Sequence, residues 1–278
     1  MTAAAPEVCV LLPVRNGAAH VAIAIDSVLR QSVPGLKLVV SDNHSTDATP
    51  SILARYADDP RVEVVRPEAP LDMMAHFNRC LGLVEGRYYM LLCHDDYLAS
   101  DDALARARDA LERDPGIAAA YCDLRYVDEA GHSIAVRRFP RPPGRVDSDA
   151  LARRAVLGNR NLFGIPLLVR TAALGGRRYD PALPYSSDLD LSIAISSGGA
   201  IFHIDAPLIA NRFHASNASV ALFRRAAHEL DRIAEKHGIE LGVLGRLRRR
   251  LAVGVTALQK WAFFRWLAWR ARRIPGAP

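Results

Sequence analysis

Three clusters of side chains in this sequence carry groups capable of chemistry. His94-Asp95-Asp96 sets two adjacent carboxylates behind the apolar run Met90-Leu91-Leu92. Like charges this close are costly to bury unless a cation or hydrogen-bond donors offset them. Hard oxygen ligands on a turn suit Mg2+ or Mn2+, which keep open positions for phosphate oxygens. The alternative is a solvated Asp-Asp turn capping the next helix; His94 either shapes the loop or serves as a further ligand. Ser41-Asp42-Asn43-His44-Ser45-Thr46-Asp47 follows a second apolar run. Asp42 there can accept hydrogen bonds from a ribose or a base imide N–H, while Asp47 is expected to cap the following helix.

Ser187-Asp188-Leu189-Asp190 opens a helix, where residues two apart point in different directions. Asp188 is the candidate general base, and Asp190 a capping or structural acid. His214, in Arg212-Phe213-His214, offers a metal or phosphate ligand from a closing segment, or else a packed surface histidine. Neither GxGxxG nor GxxxxGK[ST] occurs, so a dinucleotide fingerprint and a P-loop are both excluded. Cys93 reads as core.

These clusters need elements to position them. Val8–Leu12, Leu36–Val40, Val62–Val65, Tyr88–Leu92 and Ile117–Tyr121 read as strands. Helical periodicity covers about 20–31, 50–56, 73–83 and 101–113. Such alternation predicts an α/β, Rossmann-like and mostly parallel sheet with helices on both faces. Ligands bind such sheets at the carboxyl ends of strands. Pro13–Gly17, Asp42–Asp47 and His94–Asp96 all fall there. Further on, Arg137–Arg145 reads as a loop or hinge over the site, Ile201–Ile204 as a strand and Val220–Lys236 as a helix.

The 278 residues are 50% hydrophobic and 24% charged, which permits a large core and excludes global disorder. The four cysteines form no CxxC pair, so a disulfide or zinc scaffold is not expected. The N-terminal residues show no signal-peptide pattern, and secretion is not expected. Net charge is +6, yet residues 241–278 hold nine basic side chains and no acid, leaving the first 240 at 27 − 30 = −3. A basic tail on an acidic body points to a localised anionic partner and away from nucleic acid. Trp261, Trp266 and Trp269 interleave with cations there, which suits an anionic membrane interface; packing on protein is the alternative, and two internal charges argue against a span.

Taken in order, the motifs resemble the inverting family 2 glycosyltransferases of the GT-A fold, from Val8 to about Ser219. Val10-Leu11-Leu12-Pro13-Val14-Arg15-Asn16-Gly17 resembles the opening strand and nucleotide-contacting turn, and Val39–Asp47 the acidic turn that meets the base. Asn78, Gly86-Arg87-Tyr88 and Leu92-Cys93-His94-Asp95-Asp96-Tyr97-Leu98 resemble the approach to the metal motif and the motif itself. Ser187–Leu191 resembles the acceptor-side acidic motif, and Arg212 through Ser219 a segment closing over the diphosphate. The chain departs from the family at Ser187, where Glu is common, and at His94, where the acidic triplet is fuller.

The resemblance implies that Pro13, Val14, Arg15, Asn16, Asp42, Asn78 and Asp95 bind a nucleoside-diphosphate sugar. It implies Asp96, with His214, as ligands of Mg2+ or Mn2+, and Asp188 as the base for transfer to a glycan or lipid-linked hydroxyl. Asp42, Asp96 and Asp188 are then expected to converge around cation and pyrophosphate. The alternative is a catalytically silent nucleotide-sugar-binding scaffold. A catalytic domain over 1–219, a helical segment over 220–278, and a cytoplasmic protein peripheral on the inner membrane face complete the expectation.

Overall fold

Apolar residues in strand-length runs build the centre of the molecule. β1 (Val8–Val14) pairs in parallel with β2 (Leu36–Asp42) on one side and β4 (Tyr88–Leu91) on the other; β3 (Val62–Val65) extends the sheet beyond β2. Every residue of β1 is buried, because side chains alternate between two covered faces. Val8, Val10 and Leu12 enter one core with α1 (Val21–Leu29), α2 (Thr49–Leu53) and α4 (Ala103–Arg113). Cys9 and Leu11 enter the other with α3 (Met73–Leu81), α5 (Ser148–Leu157), α7 (Ser187–Ser196) and α8 (Ala226–Lys236). The structure, a computed structural model, describes residues 6–213 and 225–271. His214 and the expected domain boundary at 219/220 lie outside the described residues.

The second half departs from a parallel pattern. β5 (Tyr97–Leu98), β6 (Ile117–Val127), β9 (Pro166–Arg170) and β10 (Ala200–Arg212) complete the order β3-β2-β1-β4-β9-β6-β10-β5. β9 runs antiparallel to both β4 and β6, whereas β6 and β10 are parallel to each other. The parallel expectation therefore holds for the first four strands, and reversed β9 joins them to a mixed second half. The stretch expected as a loop contains the end of β7 (Ser133–Arg137) and the start of β8 (Gly144–Asp147), paired with β6 and β10. Their edge pairing gives little apolar alternation, so the sequence pattern hid them. α6 (Thr171–Leu174) is a short turn after β9, and α9 (Val243–Ala271) is a 29-residue helix.

Candidate active site

Two turns at the carboxyl ends of β1 and β2 lock together. Asn16 sits at φ 52°, a left-handed conformation that Asn tolerates. Its side-chain oxygen accepts from the Thr46 amide at 2.8 Å, and its own amide donates to Ser45 Oγ at 2.9 Å. Gly17 N–H donates to Thr49 Oγ1, and Asp47 accepts from the Ala18 and Thr49 amides. Asp47 thus holds the first amide of the following helix, from one residue before its N-cap, Ala48. A Cβ on Gly17 would lie 2.5 Å from the His94 ring, so only glycine lets this turn approach the acidic motif. Asp42 is buried and accepts from Ser45 N–H, three residues on, at 3.0 Å. It lines a groove of about 260 Å³ with Pro50, Leu53 and Val65.

Past β4, Asp96 N–H donates to the Cys93 carbonyl and closes the acidic turn. The Asp96 carboxylate is buried and accepts from the Asn211 side-chain amide on both oxygens, at 3.0 and 2.9 Å, and from the Arg212 backbone N–H at 2.9 Å. Burial, then the Asp95 charge, push its pKa well above the usual carboxylate range. Ligand atoms of Cys93, Asp95 and Asp96 lie within 4.8 Å of one another. A buried Asp96 carboxyl that resists ionisation beside the Asp95 carboxylate fits a divalent cation, which would relieve both the burial cost and the repulsion. Cys93 lies beyond the strand, at the acidic turn and not in the strand interior. Burial, followed by the charges of Asp95, Asp96 and Asp188, pushes its thiol strongly up, so it stays protonated.

Asp188 opens α7 and lines a cleft of about 400 Å³ together with Arg137, Asn161, Tyr185, Asn211, Gln259 and Phe263, among others. Its Oδ1 accepts from the Leu189 amide at 2.9 Å and its Oδ2 from Asn161 at 3.2 Å. Burial outweighs those donors and the nearby Arg137 charge, holding the carboxyl at about 6. A carboxyl tuned there can accept a proton near neutral pH. Asn211 belongs to this cleft and also holds Asp96, so it joins the two acidic groups.

Of the acids expected to converge, Asp96 and Asp188, together with Asp95, act on Cys93, while Asp42 lines the groove at the end of β2. Val14 is buried beside Asp42 in the β1–β2 register, and Arg15 and Asn16 are exposed on the turn. Asn78 spends its amide on both backbone polar groups of Tyr179, at 2.8 and 2.9 Å. It thereby ties α3 to the segment that leads into α7. Asp190 is structural, as expected: buried, and bonded to Lys236 and His237 at 2.8 Å each. Asn211, Asn161, Arg137 and Glu229 were not singled out by the sequence. Glu229 is buried and accepts from the Tyr185 and Ser186 amides, at 3.0 and 2.7 Å, satisfying the start of α7. Each acts across a long sequence separation, which leaves no local pattern to read. The Arg212 guanidinium bonds the carbonyls of Asp95, Asp128 and Glu129 and so braces the acidic turn.

Comparison with known proteins bears on the fold and the family. The chain is 30% identical over 217 residues to the succinoglycan biosynthesis protein ExoU of Rhizobium meliloti (strain 1021), covering 73% of this chain and 61% of ExoU. It is 28% identical over 159 residues to the putative teichuronic acid biosynthesis glycosyltransferase TuaG of Bacillus subtilis (strain 168), covering 57% of this chain and 62% of TuaG. The chain therefore spans less than two thirds of either relative. Among solved structures, S. aureus TarS residues 1–349 with UDP superpose at a TM-score of 0.63 and 18% identity, over 82% of this chain and 65% of that one. The mannosyltransferase PcManGT of Pyrobaculum calidifontis, with GDP-Man and Mn2+, gives 0.60 and 20%, over 99% and 77%. At these identities the superpositions show the GT-A-like fold alone. The profile described as "Glycosyl transferase family 2" matches residues 9–165, more than half of the 278, and the chain belongs to that family.

Proposed function

We propose that this chain transfers a sugar from a nucleoside diphosphate to an acceptor hydroxyl, with inversion. The observation that carries the reading is Asp188, held at about 6 in a cleft whose Asn211 also grips the buried Asp96. Asp188 takes the acceptor proton as the acceptor oxygen attacks the anomeric carbon. The new C–O bond forms opposite the leaving group, and the electron pair of the broken bond departs with the diphosphate. One displacement suffices, without a sugar–protein intermediate. A divalent cation, Mg2+ or Mn2+, held by Asp96 beside Asp95, would offset the charge developing on that diphosphate. The interlocked turns of Pro13–Asn16 and Asp42–Asp47 receive the nucleoside, with Asp42 toward the base and Asp95 toward the ribose or sugar. Nucleotide-bound TarS and GDP-Man-bound PcManGT support this donor class. The names of ExoU and TuaG support an acceptor in surface polysaccharide synthesis.

The test is hydrolysis of a panel of UDP-, GDP- and dTDP-sugars with Mg2+, with Mn2+ and with chelator. Turnover of one donor class only with metal, lost in Asp96→Asn, is expected. Tight nucleotide-sugar binding without turnover under any condition would replace the enzyme by a silent scaffold.

A further inference from the structure

α9 is turned inside out for a helix at a protein surface. Its inward face is largely polar: Arg249 bonds the Val156 and Ala227 carbonyls and Asp231, and Thr256 Oγ1 accepts from Asn159 at 2.6 Å. Phe263 meets Tyr126 edge-on at 5.5 Å, and Leu267 is buried beside it. The opposite face exposes Leu247, Leu251, Leu258, Trp261 and Trp269, with Leu251 68% and Leu258 66% accessible. Around this apolar stripe stand exposed Arg246, Arg248, Arg250 and Arg265, the last over the Trp261 ring at 4.9 Å. No helix among the described residues is long and apolar enough to cross a membrane.

An apolar stripe flanked by cations and rich in tryptophan matches one surface chemistry, the headgroup zone of an anionic bilayer. A second copy docked through the same face would set two rows of cations against each other. The inward face of the same helix lends Thr256, Gln259 and Phe263 to the Asp188 cleft. A helix is about 10 Å across, so docking would hold the cleft roughly one helix diameter above the headgroups. We propose that α9 docks on anionic lipid and that the cleft takes an amphiphilic acceptor anchored in that surface. The second clause rests on the transfer reading; the first does not.

All three tryptophans of the chain lie on α9, so intrinsic tryptophan emission of the full chain reports docking alone. Phosphatidylcholine vesicles containing phosphatidylglycerol are expected to shift emission to the blue and sediment the protein, with binding weakening as salt rises. Pure phosphatidylcholine is expected to do neither. Leu251→Glu/Leu258→Glu should lower vesicle affinity about 100-fold, and Arg246→Ala/Arg250→Ala about 20-fold, with a flatter salt dependence. Circular dichroism and donor hydrolysis in solution should be unchanged in both. Unshifted emission on both vesicles, or equal binding to both, overturns the docking. So does a concentration-dependent doubling of mass without vesicle binding that Leu251→Glu/Leu258→Glu abolishes, because the occupant is then a second copy. For the acceptor, a long-chain alkyl glycoside in anionic vesicles should be favoured over the methyl glycoside of the same sugar, and that preference should vanish in Leu251→Glu/Leu258→Glu. Equal turnover of the two by the unmodified protein overturns the amphiphilic acceptor. Binding readouts need no turnover, so failure of the transfer reading leaves the docking test intact.

Discussion

The proposed donor edge, at the ends of β1 and β2, and the proposed acceptor cleft, between β6, α7 and α9, are held by different forces. At the donor edge, strands buried along their length fix the backbone, and short polar turns close on one another through Asn16, Ser45, Asp47 and Thr49. In the cleft, buried polar groups do the positioning: Glu229 at the head of α7, Asp190 on Lys236 and His237, Asn211 on Asp96, and Arg249 under α9. Apolar burial is non-directional and needs no specific partner, so a polar substitution on an exposed turn leaves the strands beneath it in place. A buried polar partner leaves its mate unsatisfied when removed, at about 1–3 kcal/mol. The donor edge should therefore resist single polar substitutions that displace the cleft.

The largest effect breaks the cleft without touching the donor edge. Asp188→Asn should lower kcat by about 10²–10⁴ while nucleotide binding stays intact, read by steady-state kinetics and calorimetry. A near-normal rate would remove Asp188 from the chemistry. Activity of the unmodified protein should rise with pH through a midpoint of about 6 as Asp188 ionises, and that limb should be absent from the residual activity of Asp188→Asn. Stability runs the other way. A carboxyl raised from 3.8 to about 6 contributes stability that is present below pH 3.8 and lost as pH climbs through about 6. Asp188→Asn should thus raise the melting temperature at pH 8, by about 2–4 °C for each kcal/mol gained, and lose that advantage near pH 4.

A smaller effect is expected at Glu229. Replacing it by Gln weakens the charge-assisted bonds to the Tyr185 and Ser186 amides and should cost about 1–3 kcal/mol. kcat should fall with little change in donor affinity, since α7 carries Asp188 and not the nucleotide turns. If donor affinity falls in step, the two regions are one cooperative unit and the comparison fails. Gly17→Ala sharpens it from the opposite side. The added methyl meets the His94 ring and Val14, and overpacking of that kind costs about 1–3 kcal/mol. Donor binding should weaken while tryptophan emission from α9 stays unchanged. The smallest effect is Lys37→Ala, which removes exposed pairs with Glu63 and Glu85 at 2.7 and 2.9 Å and should change stability by less than about 1 kcal/mol.

How much of this was legible depended on whether the deciding contacts were local. β1 to β4, their helices and the three polar clusters follow from periodicity and turn chemistry, because each side chain's burial is set by near neighbours. β7, β8 and α5 were missed. The first two are edge strands with weak alternation, and α5 begins where Asp147 caps the Ala150 amide, inside a stretch dominated by prolines and arginines. Asn211 carries no sequence signal for its part, since its partner Asp96 lies 115 residues away. Asn78 resembles a family position by sequence, yet only the fold shows its amide engaged with Tyr179.

By itself the sequence determined the alternating α/β framework, the strand-end placement of Asp42 and Asp95-Asp96, and the family, all consequences of short-range patterns in a single chain. Tertiary structure alone decided that β9 runs backwards, that Asn211 joins Asp96 to the Asp188 cleft, and that α9 shows its apolar side outward. Those outcomes turn on which distant polar groups satisfy one another once water is excluded, and no local window of sequence contains both partners.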